Sequence, residues 1–356
     1  MFTGSGLLFF GMFFCLIGSF FAFSLIGKKG RPTFNAPFVA VSALLCFAVL
    51  ASVFLFWEPS DFISSVTPAA FAAPAVLLLF LAMLSLVFPQ PQLQFILLAL
   101  SCCGIVFGFD VFIRFSSQLP PLPNKILTAV LWLAICYFPR VINLNTGIVC
   151  IQTLTIALGA LLLYFINALP LAVGMLAAYT AACFIGLLVA ARNNPNLRIS
   201  DLMCNLLGFL LGWLTVYASA EGAGSCFAVF AIYPLIEVIF ALAQKLTFLP
   251  QFAIAKNNTL YLRMIDADMT PSVLNRYLLR ISAICILFGS FQAFAPNDYS
   301  IPVFCLLVVL WQLYRIYNWR ELPSGLKETN KKFISDVKNN LQEISQILKD
   351  RDRSKK

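Results

Sequence analysis

Asp201 opens an apolar run directly after Ser200, in a chain of 356 residues that has no histidine and only 15 acidic residues. A hard cation such as Mg²⁺ wants oxygen ligands, chiefly carboxylates, and a single carboxylate can hold it when substrate phosphates complete the shell. Arg192 and Arg198 precede Asp201, and Lys256 and Arg263 lie on the longest polar loop, so cations able to clamp phosphates are at hand. Asn143, Asn145, Asn257 and Asn258 carry amides that can hydrogen-bond a sugar or a nucleotide. Each residue also has a plainer reading. The cations are ordinary charge on the inner face of a membrane protein, the asparagines are turn and capping residues, and Asp201 is the N-cap of its helix. The 11 cysteines, among them Cys15, Cys102, Cys103, Cys183 and Cys285, sit almost wholly in apolar runs without metal-ligand spacing and read as small buried hydrophobes.

Apolar helices must position these groups, because 61% of the chain is hydrophobic and 11% charged. About twenty apolar residues cross a hydrocarbon core of about 30 Å as a helix. On that criterion the chain is all-α and polytopic, with about eleven transmembrane helices. They fall at roughly 7–26, 36–57, 67–88, 94–112, 124–139, 148–166, 170–191, 202–219, 225–243, 281–295 and 300–318. The fifth is short and interrupted near Pro139. A barrel would need alternating strands, and these are absent from the pattern.

Lys and Arg set the orientation. With the N-terminus outside, the inner face receives Lys28, Lys29, Arg31, Arg140, Arg192, Arg198, Lys245, Lys256, Arg263, Arg276, Arg280 and the C-terminal tail. The outer face keeps Arg114 and Lys125 beside Glu58, Asp61, Glu221 and Asp298. By the positive-inside rule the C-terminus is cytoplasmic. The net charge of +9 is then a matter of topology and implies no nucleic-acid partner.

The first apolar run lacks a basic n-region and an Ala-x-Ala site, and reads as a retained helix. Residues 1–320 form the transmembrane domain, and 321–356 form a basic cytoplasmic tail. In the tail Ile334, Val337, Leu341, Ile344 and Leu348 alternate spacings of three and four, an a/d seam across 327–349. A homo-oligomer or protein partner docked there, an amphipathic helix on anionic lipid, and a solvated tail all remain open.

The polar loops carry a further pattern. Val141-Ile-Asn-Leu-Asn-Thr-Gly-Ile-Val-Cys150 is followed by Arg192-Asn-Asn-Pro-Asn-Leu-Arg-Ile-Ser-Asp-Leu-Met-Cys-Asn-Leu-Leu-Gly-Phe209, then Tyr233-Pro-Leu-Ile-Glu237 and Ala255-Lys-Asn-Asn-Thr-Leu-Tyr261. In order and spacing these segments resemble the motifs of the polyprenyl-phosphate N-acetylhexosamine-1-phosphate transferases. That is glycosyltransferase family 4, which includes muramyl-pentapeptide phosphotransferase and the enzymes that transfer GlcNAc-1-phosphate to undecaprenyl phosphate. The resemblance covers 1 to about 320. Asn143 and Gly147 match the family's Asn-x-x-Asp-Gly-x-Asp-Gly, while Thr146 and Val149 stand where its aspartates belong. Asp201 matches the aspartate of Gly-Asp-x-Gly-Ser, with Ser200, Met203 and Cys204 replacing Gly, Gly and Ser. Gly208-Phe209 matches the following Gly-Phe helix, and Glu237 takes the place of the aspartate in Pro-Leu-x-Asp. Lys256 to Tyr261 occupies the position of a histidine-rich motif, and Phe88-Pro-Gln-Pro-Gln92 that of an Asp-Asp motif, without its ionisable groups.

The resemblance implies a multi-pass protein of a bacterial inner membrane, in or beside cell-envelope glycan assembly. Family members transfer a sugar-1-phosphate from a UDP-sugar to a polyprenyl phosphate, with Mg²⁺ held by cytoplasmic aspartates. By that carry-over Asp201 is the catalytic and metal residue, and Asn143, Arg192, Lys256, Asn257 and Asn258 are substrate-binding residues. The missing aspartates and histidines imply a pseudoenzyme that needs no Mg²⁺. A divergent active transferase, using Mg²⁺ and placing Asp201, Glu237 and Lys256 in altered roles, is the alternative. A transporter or lipid-handling protein is a second alternative, since fold does not fix function.

Overall fold

A computed structural model describes Cys15, Val49, and residues 68–87, 91–115, 119–141, 146–193, 199, 201–237, 239, 271–296 and 298–317. Among the described residues the chain is all-helical, without strands. In chain order the helices are α1 Pro68–Val87, α2 Pro91–Gly108, α3 Pro121–Val141, α4 Thr146–Phe165, α5 Leu171–Asn193, α6 Asp201–Ala218, α7 Gly224–Phe230, α8 Pro271–Gln292 and α9 Ser300–Tyr317. Proline opens α1, α2, α3 and α8, where its fixed φ suits the first turn and its missing N–H costs nothing.

Four helical stretches are long and apolar enough to cross a membrane: Gly147–Phe165, Leu171–Val189, Cys204–Phe230 and Val273–Gln292. Shorter apolar stretches lie at Ala70–Leu84, Ile96–Gly108, Pro121–Cys136 and Ser300–Arg315. Outward faces are apolar as well: Val76, Phe80 and Met83 on α1, and Val303, Leu307, Trp311 and Tyr314 on α9, are exposed. Water would penalise such surfaces and lipid would not. This is a membrane protein.

Cys204–Phe230 is a hairpin. Cys204, in the first turn of α6, faces Cys150 near the start of α4. Val229, Ile232 and Tyr233 in turn cluster with Ile148 and Ile151 of the same part of α4. The chain therefore leaves that level and returns to it. It reverses at the π-helical turn Ser219–Ala223, where Gly222 takes φ 93°, a conformation that costs only glycine nothing.

The α4–α5 turn is closed by a Schellman motif. The Ala168 N–H bonds to the Leu163 carbonyl at 2.8 Å and the Asn167 N–H to the Tyr164 carbonyl at 2.9 Å, with Asn167 left-handed at φ 58°. Helices α3 and α6 run antiparallel in close contact. A Cβ on Gly208 would strike the backbone of Cys136, and one on Gly212 the ring of Trp132. This is the small-xxx-small spacing that lets membrane helices approach.

Two differences from the sequence expectation concern α3 and α8. Helix α3 runs through Pro139 to Val141 without interruption, as membrane helices tolerate when neighbours cover the freed backbone. Helix α8 begins at Pro271 rather than near 281, which places Arg276 and Arg280 on a helix and not in a loop. Both arginines are exposed while Leu274, Leu278 and Ile281 are buried, so its first turns are amphipathic.

Candidate functional site

Of the residues the sequence singles out, Asp201 is the first residue of α6 and Arg192 lies in the last turn of α5, both placed by backbone alone. Their side chains, and all of Asn143, Lys256, Asn257 and Asn258, lie outside the described residues. Among the described residues no three His, Cys, Asp or Glu side chains gather as metal ligands. Cys150 and Cys204 feel each other electrostatically, so the starts of α4 and α6, which carry Gly147 and Asp201, lie near one another. Among the described residues Asp201 is the one carboxylate at these helix starts, so Mg²⁺ would need phosphate oxygens to complete its shell.

Among the described residues the buried carboxylate is Glu237, 2% exposed. Its Oε1 accepts a hydrogen bond of 2.7 Å from the Tyr233 hydroxyl one turn earlier. Seven residues before it stands a wedge. The Phe230 ring fills the notch between two glycines: a Cβ on Gly159 of α4 would lie 2.6 Å from its Cζ, and a Cβ on Gly289 of α8 would collide with its edge. Residues seven apart share a helical face to within about 20°, two turns and about 10.5 Å further on. Gln152 lies seven before Gly159, Ser282 seven before Gly289, and Glu237 seven after Phe230. The chain around Phe230 runs antiparallel to α4 and α8, since Tyr233 meets Ile148 and Ile151 on one and Cys285 on the other. On their unbroken helices Gln152 and Ser282 therefore lie two turns from the notch that holds the Phe230 ring, whereas Glu237 lies beyond the end of α7 at Phe230.

Gln152 is 1% and Ser282 6% exposed. Gln152 Nε2, Ser282 Oγ and, two turns further along α8, Asn275 Oδ1 are buried without a hydrogen-bond partner. Buried polar atoms are nearly always satisfied, so these three stand out on α4 and α8, as do Asn205 Oδ1, Trp213 Nε1 and Gln292 Oε1 elsewhere in the bundle. Ile148, Ile151, Leu274, Leu278 and Ile281 form the apolar wall. Glu237 was visible in the sequence only as a motif match, and Gln152, Ser282 and Asn275 went unremarked. Each is a single polar residue inside or beside an apolar run, a signal too common to single it out.

Asp201 starts α6, whose first turn lies near the start of α4. No protein-family model and no curated protein matches the chain.

Proposed function

We propose that the chain is a catalytically degenerate relative of the polyprenyl-phosphate N-acetylhexosamine-1-phosphate transferases. In this reading it sits in a bacterial inner membrane and either holds a polyprenyl phosphate or partners a glycan-assembly enzyme. One observation carries the reading: the loop segments keep the family's order while Thr146, Val149 and the histidine-free stretch from Lys256 to Tyr261 replace the ionisable centres. The pairing of Cys150 with Cys204 supports it, because both membrane-entering motif segments then meet at the same pole of the bundle. Asp201 at the start of α6 keeps one oxygen ligand there, and the free N–H groups of a helix start favour an anion such as a lipid phosphate.

An active, divergent transferase draws less support, since Thr146 and Val149 stand where the family's aspartates belong. The deciding experiment is transfer from radiolabelled UDP-N-acetylglucosamine to undecaprenyl phosphate by purified, folded protein with Mg²⁺. The expected result is little lipid-linked sugar. Robust product that disappears in Asp201→Asn would replace this reading with the active one.

A further inference from the structure

We infer that the outward seam of α8 and α9 holds the phosphate headgroup of an anionic phospholipid, gripped by Arg276, Arg280 and Arg315. The inference does not rest on the transferase reading. Two contacts fix how these antiparallel helices register. The rings of Phe288 and Phe304 meet with centroids 5.5 Å apart, and Cys285 and Cys305 share a hydrogen bond. Tyr277 lies eleven residues before Phe288, and Arg315 eleven after Phe304. Eleven residues are three helical turns to within about 20°, so both positions stand on the seam at one level, about 16.5 Å from the phenylalanine pair. The Arg280 guanidinium lies over the Tyr277 ring, 5.4 Å from its centroid, which turns it toward the same seam. Arg276 is one turn before Arg280 on the same helical face, and all three arginines are exposed.

Charge and polarity select the occupant. Neither α8 nor α9 contains an acidic residue, and Asp298 stands at the opposite end of the pair, in the connection between them. Three guanidiniums at one end therefore call for an anion, and their planar forks match phosphate oxygens. Beside them Trp311 and Tyr314, 60% and 58% exposed, stack with centroids 6.1 Å apart. Such amphipathic rings settle where headgroups meet hydrocarbon. From that level toward Asp298 the exposed surface is apolar, with Leu287 and Phe291 on α8 and Phe304 and Leu307 on α9. A ligand on this surface needs an anionic head and an apolar body, which a phospholipid supplies.

The test is native mass spectrometry of the full-length, delipidated protein in detergent, titrated separately with phosphatidylglycerol, phosphatidylcholine and undecaprenyl phosphate. Phosphatidylglycerol should bind more tightly than phosphatidylcholine. Each of Arg276→Gln, Arg280→Gln and Arg315→Gln should weaken phosphatidylglycerol about fivefold, the usual worth of one basic residue beside anionic lipid. Arg114→Gln removes an exposed charge from the connection between α2 and α3, and should leave the preference intact. Helical circular dichroism reports folding, and any one folded variant of the three suffices to decide. Equal affinity for the two phospholipids, undiminished phosphatidylglycerol binding in a folded variant, or an equal loss in Arg114→Gln overturns the site. A loss confined to undecaprenyl phosphate overturns it too, by giving the seam to the polyprenyl lipid.

Discussion

The indole N–H of Trp132 donates to the backbone carbonyl of Phe209 at 3.1 Å, joining α3 to α6 in mid-bundle. Their rings stack with centroids 5.3 Å apart, and the contact is possible only because Gly212 leaves room for the indole.

Gly212→Ala should therefore push the indole aside and cost about 1–3 kcal/mol, the usual range for overpacking. Gly208→Ala should cost at least as much, because its Cβ meets the Cys136 backbone, which cannot rotate away. Gly104→Ala is the control: its Cβ would meet nothing, and helix propensity favours alanine by up to about 1 kcal/mol. Thermal unfolding in detergent should order the midpoints Gly104→Ala, then Gly212→Ala, then Gly208→Ala, from highest to lowest. Equal midpoints for the three would contradict the close packing of α3 on α6.

Asn167 ends α4 in the left-handed region at φ 58°. Asn167→Gly should be neutral or slightly stabilising, whereas Asn167→Val should cost about 1–2 kcal/mol, since a branched Cβ clashes in that conformation. Unfolding midpoints of the two variants should move in different directions.

Asn124 fastens the connection between α2 and α3. Its Oδ1 accepts from the Phe115 N–H at 3.3 Å and its Nδ2 donates to the Leu119 carbonyl at 3.2 Å. Thr128 Oγ1 accepts from the Ile113 N–H at 2.9 Å. Asn124→Ala should loosen this strap at a cost of about 1–3 kcal/mol. Limited proteolysis of residues 109–115 should accelerate in the variant, and an unchanged cleavage rate would deny the strap its anchor.

Asp298 accepts a 2.9 Å hydrogen bond from the Ser300 N–H, which with the Ser300 hydroxyl holds its carboxyl below the usual range. A carboxylate lowered in the folded state contributes stability that is complete above its unfolded value, about 3.9, and is lost as pH falls through the folded value. Asp298→Asn should lower stability slightly at neutral pH and lose nothing further as pH falls below about 4, so that the variant and wild-type profiles meet in acid. The group is fully exposed, so the change should be small and should shrink with added salt.

Apolar run length located helices at 68–87, 91–108, 121–141, 146–165 and 171–193, because in lipid little else can satisfy the backbone. It failed at the start of α8, where exposed Arg276 and Arg280 interrupt the run although Leu274 and Leu278 continue the buried face. Gly208 was legible only as part of a motif; that its missing side chain seats Cys136 depends on a partner 72 positions earlier in the chain, which no local pattern announces. The notch that Gly159 and Gly289 form around the Phe230 ring was hidden for the same reason.

The Phe230 wedge also works as a bolt. Its ring is seated against Gly159 of α4 on one side and Gly289 of α8 on the other, so neither helix can slide along the other without unseating it. A one-turn slip, by which packed helices exchange between states, is thereby closed to this pair, and the bundle keeps one register.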